Sequence, residues 1–425
     1  MKVLVATYGS RGDVQPYVAL GKGLQAAGHE VIVATSERFR DFVVAHGLPY
    51  GFLSDKLLAI IDTDLGRTLM ETTDNLFQVA RRLVGMARQV GPLQRTLVRD
   101  GWVVAKSAAP DLIVFHPKVF GGPHYAEKLG VPAVLALPIP LFVPTAARPS
   151  MGFPDLNLGG RYNRATYVLT EKVMEWSIRG HVRRWRTEQG LVPHDHCSIL
   201  KTPHGRPLPV LHAVSRHVVP RPPDWPDQAM MTGYWFLDQA DRWRPPAELK
   251  RFLDSGPPPV YVGFGSMAGR SPARMGRIVM EALAKAGVRG VVATGWGGVR
   301  LERPSSSVMV IDQVPHDWIL PRVAAAVHHG GAGTVAATLR AGVPSVVVPF
   351  FGDQPFWGKR VHALGAAARP IPRKRLTAAG LAAAIREVLD DPGFLRRAQE
   401  LGEKIRRERG VENAVQAVEK LLHQL

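Results

Sequence analysis

Apolar residues in this chain come mainly in short runs of about four or five, closed by glycine, proline or small polar residues. Such runs predict buried strands, and between them an apolar recurrence every third or fourth position predicts helices. The first example reads as strand at 3–6 and turn at Gly9-Ser10-Arg11-Gly12-Asp13. A helix follows with Tyr17, Leu20 and Leu24 on one face, stopping at Gly28, and strand resumes at 31–34. This alternation predicts a parallel sheet covered on both faces. Apolar runs at Leu112–Phe115 and Ala133–Leu137 continue it, and residues 64–106 between read as helical and mixed in polarity.

Prolines 220, 222, 223 and 226 suggest a stiff linker. The strand–helix rhythm then restarts, with strands expected at 260–264, Gly290–Ala293, Val308–Ile311, 323–327 and 345–348. Helices are expected at 381–389 and 394–407. A last amphipathic segment puts Val411, Val415, Val418, Leu422 and Leu425 on one face. The pattern therefore predicts an α/β chain with two doubly wound, Rossmann-like domains at 1–220 and 221–406. Residues 407–425 are expected to form a helix packing back toward the first.

With 425 residues, the chain is long enough for two or three cores. Its 46% hydrophobic and 21% charged residues exclude a disordered chain. The single cysteine, Cys197, excludes an internal disulfide and points to a reducing compartment. No apolar run approaches the roughly 18–20 residues that cross a bilayer. The opening Met-Lys-Val-Leu-Val-Ala-Thr reads as a first strand and not as a leader, so the expected place is the cytosol or the inner membrane surface. The net charge of +18 is densest at 179–186, Arg373–Arg375 and 406–409. It suits either a solvated surface or attraction to anionic donors and an anionic membrane. No helix-turn-helix, zinc finger or RNA-binding aromatic motif accompanies it, which argues against nucleic acid.

Glycine turns after strands suggest phosphate binding. The dinucleotide fingerprint is absent, because Gly9 and Gly12 lack a third glycine and residues 34–36 offer no ribose-binding acid. There is no Walker A motif. The strongest signal is His328-His329-Gly330-Gly331-Ala332-Gly333-Thr334, after an apolar strand and opening a helix at 335–339. Small residues at a helix start let backbone N–H groups approach a diphosphate, with His329 and Thr334 adding side-chain donors. About twenty residues on, Pro349-Phe350-Phe351-Gly352-Asp353-Gln354-Pro355 follows the next strand. Asp353 and Gln354 supply acceptors and donors for sugar hydroxyls. No acidic cluster stands ready for a divalent cation, so no metal is expected.

These two motifs, with Gln313-Val314-Pro315-His316-Asp317-Trp318 and the N-terminal 9–16, resemble the donor motif of family 1 glycosyltransferases with the GT-B fold. In look the chain is similar to the bacterial sterol 3β-glucosyltransferase-like branch. The resemblance spans nearly the whole chain and implies two Rossmann-like domains facing each other across a cleft. It implies that Gln313 and Val314 flank base and ribose. His329, Gly331, Ala332, Gly333 and Thr334 would hold the diphosphate, joined by Ser266 and Gly12, and Asp353 and Gln354 the sugar. One departure is Ala337, where plant relatives carry a ribose-binding glutamate, which leaves uridine against thymidine open. The nucleotide sugar, expected to be UDP-glucose, would be a co-substrate, with no cofactor.

The resemblance further implies an inverting displacement and places Asp13 where many members carry a base histidine. Asp13 also suits an N-cap. Burial against an apolar acceptor would raise its pKa and make it a better base. His116, after its strand, would position Asp13 or share its proton; Lys118 and His124 are weaker candidates. Phe77, Trp102, Phe142 and Met151, with Met86, Phe153, Met174 and Trp176, could line an apolar acceptor site or simply be core. The favoured acceptor is a flat hydrophobic alcohol such as a sterol. The alternatives are a natural-product transferase using a TDP-deoxysugar, a nucleotide-sugar epimerase and a non-catalytic binder.

Overall fold

The computed structural model describes residues 1–61, 76–193, 197–265, 272–295, 299–301 and 305–423, without the side chains of 60–61, 76–89 and 423. The chain divides into two compact units. The first comprises Met1–Arg216, Pro220–Leu237 and the stretch from Arg409 on; the second comprises His217–Val219 and Asp238–Glu408.

Among the described residues the first unit contains strands β1 (Lys2–Ala6), β2 (Glu30–Ser36), β3 (Tyr50–Leu53), β4 (Leu112–Phe115), β5 (Ala133–Leu137), β6 (Val210–His212) and β7 (Ala229–Met231). They form one parallel sheet in the order β3-β2-β1-β4-β5-β6-β7. In the second unit β8 (Val260–Gly263), β9 (Gly290–Ala293), β10 (Val308–Ile311), β11 (Ala325–His328) and β12 (Ser345–Val347) are ordered β10-β9-β8-β11-β12, again parallel. The continuous apolar runs have a direct cause. Leu4, Ala6, Ile113, Phe115, Leu135 and Leu137 feed one core, while Val3, Val5, Leu112, Val114, Val134 and Ala136 feed the other. Successive side chains leave a strand on opposite faces, so a sheet buried on both sides needs apolar residues at every position.

In each sheet the strand order reverses beside the first strand, β1 or β8. Ligands of open α/β sheets bind at the carboxyl ends of strands flanking such a reversal. Ala6 pairs with Phe115 and Gly263 with His328. The turn at 9–13 therefore lies next to His116, and Gly265 next to His329.

Several elements depart from the pattern reading. The proline stretch at 220–226 is not a free linker: Trp225 is buried there, stacks on His212 at 4.3 Å and donates from Nε1 to the Val143 carbonyl at 3.2 Å. Apart from His217–Val219, the chain passes to the second unit after Leu237. Strands β3, β6 and β7 were not foreseen. The helix Gly159–Glu188 was missed as well, since its mean polarity hides a narrow buried stripe at Tyr167, Ile178, Val182 and Trp185. Strand β11 ends at His328 instead of 327, which makes His328 the last strand residue. Of the predicted helix at 64–106, the described part belongs to Leu76–Ala108.

The helix Gly410–His423 packs on the helix Arg11–Ala26, burying Ala414, Val415 and Val418 in one core with Val14, Val18 and Leu24. The close approach depends on Gly23: a β-carbon there would lie 2.3 Å from Val411 Cγ1.

Candidate active site

In the first unit the chemistry gathers at the carboxyl ends of β1 and β4. Gly9 has φ +144°, and a β-carbon there would lie 2.2 Å from Asp13 Oδ2 and 2.8 Å from Lys118 Nζ. A side chain at this position is thus excluded by the very contact it would disrupt. Asp13 is the third residue of its helix and not the N-cap, which is Ser10. Its carboxylate reaches back to accept the Ser10 backbone N–H at 2.7 Å, the acidic half of a capping box.

The same Oδ2 accepts from Lys118 Nζ at 2.9 Å, while Oδ1 lies 3.3 Å from His116 Nε2. His116 Nδ1 accepts the Lys118 backbone N–H at 3.1 Å. The neutral imidazole therefore carries its proton on Nε2 and offers it to Asp13. Tyr17 packs its ring edge-on to His116 at 5.5 Å and donates its hydroxyl to the Ala136 carbonyl.

These partners reverse the expectation that Asp13 would titrate high. Burial pushes its carboxyl up, but Lys118 and His116 pull it down, and the balance lies well below the ordinary carboxylate range. Burial lowers His116 below its ordinary value, the opposing pull of Asp13 notwithstanding. The cluster is thus an ionised carboxylate fixed between a neutral imidazole and an ammonium. It can orient a hydroxyl and receive its proton late, after the attacking oxygen has acidified. Lys118 was underweighted in the sequence, although its place two residues beyond His116, just past a strand end, carried the signal.

His124 belongs elsewhere. It contacts buried Arg186 at 3.1 Å, which also pairs with Glu127. Arg186 is accordingly lost from the basic surface expected at 179–186. The acceptor candidates disperse too. Trp102 lies edge-on to Trp185 at 5.3 Å and packs, like Phe142 and Met174, against one core. Met151 and Phe153 are half-buried in the loop after β5, and Trp176 is 75% exposed. The side chains of Phe77 and Met86 lie outside the described residues. Gly12 lies in the first turn of the helix Arg11–Ala26, beside Asp13 in sequence and in the first unit.

In the second unit β11 delivers His328 and His329 to a turn in which Gly330 has φ +86°. A β-carbon on Gly330 would lie 2.7 Å from Val347 Cγ1, so glycine is required for both reasons. Gly331 caps the helix Ala332–Ala341, and its carbonyl takes the Val335 N–H. The N–H groups of Ala332, Gly333 and Thr334 thus begin the helix ahead of its ladder, at the positive end of its dipole. The His329 ring lies beside Gly331 and Gly265: a β-carbon on Gly331 would be 2.5 Å from its Nε2, and one on Gly265 would be 3.2 Å from its Cε1. Its Nδ1 is buried and makes no hydrogen bond of ordinary geometry, although the Gly263 backbone lies near enough to pull the ring's pKa up. Burial, with His316 nearby, lowers the ring to about 4, so at neutral pH it acts as an uncharged donor or acceptor. His328 is structural: its Nδ1 accepts the Gly330 N–H at 3.1 Å.

Asp317 Oδ2 accepts the backbone N–H groups of Gln239 and Ala240, each at 2.7 Å, and Trp318 packs on Trp243 at 4.9 Å. That part of the motif holds the loop carrying exposed Gln313 and half-buried Val314. Gln354 Oε1 accepts the N–H groups of Phe350 and Phe351 at 2.8 and 3.2 Å, and Asp353 Oδ2 accepts Trp357 Nε1 at 2.7 Å. Both side chains therefore shape their own loop, a role the sequence reading did not assign them. Ser266 lies outside the described residues. Among the described residues no group of three or more acidic, histidine or cysteine side chains could hold a metal ion.

Comparison with known proteins places these features. Residues 3–147 match the glycosyltransferase family 28 N-terminal domain, and residues 298–421 match the erythromycin biosynthesis protein CIII-like C-terminal domain. The sterol 3-beta-glucosyltransferase of Emericella nidulans is 36% identical over 433 residues, covering 98% of this chain and 30% of the fungal protein. That of Cryptococcus neoformans is 35% identical over 443 residues, covering 98% and 27%. The chain thus spans about three-tenths of the length of these relatives. The solved glycotransferase of kitacinnamycin superposes with a TM-score of 0.71 at 20% identity, with 99% of each chain covered. The glycosyltransferase VinC, solved with dTDP, superposes with a TM-score of 0.70 at 20% identity, with 100% of each chain covered. These structures show the fold: two Rossmann-like domains of the GT-B type.

Proposed function

We propose that this chain, which carries a glycosyltransferase family 28 N-terminal domain and an EryCIII-like C-terminal domain, is an inverting glycosyltransferase. It moves a hexose from a nucleotide diphosphate sugar to the hydroxyl of a hydrophobic alcohol. UDP-glucose is the proposed donor and a sterol-like alcohol the acceptor. The observation that carries the reading is the glycine-lined helix start in the second unit, where the Ala332–Thr334 N–H groups and the adjacent His329 ring suit a diphosphate. The identity with sterol 3-beta-glucosyltransferases across 98% of this chain supports the acceptor class.

In the reaction the acceptor oxygen attacks the anomeric carbon opposite the diphosphate, and the sugar–phosphate bond breaks with its electron pair leaving on the diphosphate. Helix N–H groups, Thr334 and His329 stabilise that charge. Asp13 orients the alcohol and takes its proton as the new bond forms. Gln313 and Val314 are assigned to the nucleoside and Asp353 and Gln354 to the sugar.

Incubating the protein with UDP-glucose or TDP-glucose and a panel of sterols, polyketides and simple alcohols, read by mass spectrometry, tests the proposal. A β-glucoside of a flat hydrophobic alcohol is the expected product. Deoxysugar transfer from TDP donors alone would establish the natural-product reading, and donor isomerisation without acceptor the epimerase one. The mechanism needs no metal, so turnover in excess chelator should equal turnover with magnesium. No helix among the described residues is long and apolar enough to cross a membrane.

A further inference from the structure

The helix Gly159–Glu188 has two faces. One buries Tyr167, Ile178, Val182 and Trp185 in the first unit. The other leaves Leu169, Val173 and Trp176 exposed at spacings of four and three, Trp176 by 75%, with Val168 beside them. Leu156 and Leu158, just before the helix, are exposed as well. Half of the exposed large apolar side chains among the described residues thus fall within 156–176, too concentrated for the scattered singles of an ordinary surface. Arg161, Lys172, Arg179, Arg183 and Arg184 are exposed on the same helix. At 100° per residue Arg161, Lys172, Arg179 and Arg183 fall within the arc of the apolar stripe.

From this juxtaposition we infer that the outer face of the helix Gly159–Glu188 docks on an anionic lipid surface. A tryptophan and aliphatic side chains flanked by lysine and arginine are the composition of a helix lying in a bilayer interface. The basic residues complement anionic headgroups and, being of one sign, oppose a second copy of the same face. Residues 179–184 add charge where the apolar stripe ends, so headgroup attraction continues along the helix. The inference deepens the proposed function, on which it rests for its purpose: a sterol-like acceptor resides in a membrane.

Co-flotation of the full chain with vesicles tests it. The protein should float with vesicles of equal parts phosphatidylcholine and phosphatidylglycerol, bind phosphatidylcholine alone far more weakly, and release as salt rises. Trp176→Ser should weaken partitioning by about tenfold, and the triple variant Leu169→Ser, Val173→Ser, Trp176→Ser should abolish it. Both variants should keep native circular dichroism and full transfer to a water-soluble acceptor, while transfer to a vesicle-borne acceptor falls. If the wild type ignores anionic vesicles, or the triple variant floats as well as the wild type, the inference is overturned. A dimer in sedimentation analysis that Trp176→Ser dissociates would overturn it in favour of self-association. Flotation without any sugar transfer would keep the docking face and reject only the proposed function.

Discussion

Asp13 shows how far a residue's chemistry depends on its neighbours. Lys118 opposes the effect of burial, so Asp13 is ionised throughout the neutral range and contributes no acid limb to the activity there. Lys118→Met removes the ammonium while keeping the backbone N–H that fixes His116. Burial is then less opposed, the Asp13 pKa rises, and the acid limb of kcat/KM should move to higher pH. An unchanged profile in this variant would deny Lys118 that role. Asp13→Asn can still accept the Ser10 N–H, so stability should change by about 1 kcal/mol. Transfer to an unactivated alcohol should fall by about 10²–10⁴ and transfer to an acidic phenol much less. His329→Ala should slow turnover by about 10²–10³ and weaken donor binding, measured by steady-state kinetics and calorimetry, with circular dichroism unchanged.

Among elements, the pairing of the helices Arg11–Ala26 and Gly410–His423 offers the sharpest test. By intrinsic propensity Gly23→Ala should stabilise a helix by about 1 kcal/mol. Against Val411 the added methyl has no room, so overpacking should win and destabilise by about 1–3 kcal/mol in urea unfolding. Val411→Ala in the same chain should restore most of the loss. A stabilising Gly23→Ala would mean that the two helices do not meet as described. The helix Ala332–Ala341 makes the same point for function, because only glycine at 265 and 331 lets the His329 ring lie at its start.

At the scale of the whole molecule, the first unit is discontinuous: it closes only when the chain returns after Glu408. A fragment ending at residue 237 lacks Ala414, Val415 and Val418, each buried in the core around the helix Arg11–Ala26. Burial of an aliphatic side chain contributes roughly 1.5–3 kcal/mol, against a total stability of about 5–15 kcal/mol. The fragment should therefore be poorly folded by circular dichroism and protease resistance, and a peptide of residues 409–425 added in trans should restore order. A stable fragment without the peptide would show that the core closes alone.

The sequence by itself determined the architecture of alternating strands and helices, because strands buried on both faces must be apolar throughout. It also singled out Asp13, His116 and His329 as candidates, since polar groups just beyond apolar strands stand out. Tertiary structure alone decided what those groups are. Lys118 and His116 set Asp13 low against the push of burial, the Lys118 N–H selects the His116 tautomer, and backbone contacts turn Gln354 and Asp317 into loop supports. Only the fold showed that Trp225 anchors the proline stretch at 220–226 in the core and that Arg186 turns inward while Trp176 turns out. Pairing across the sheet and burial on one side of a helix are long-range facts, and local pattern carries no record of which distant residue arrives.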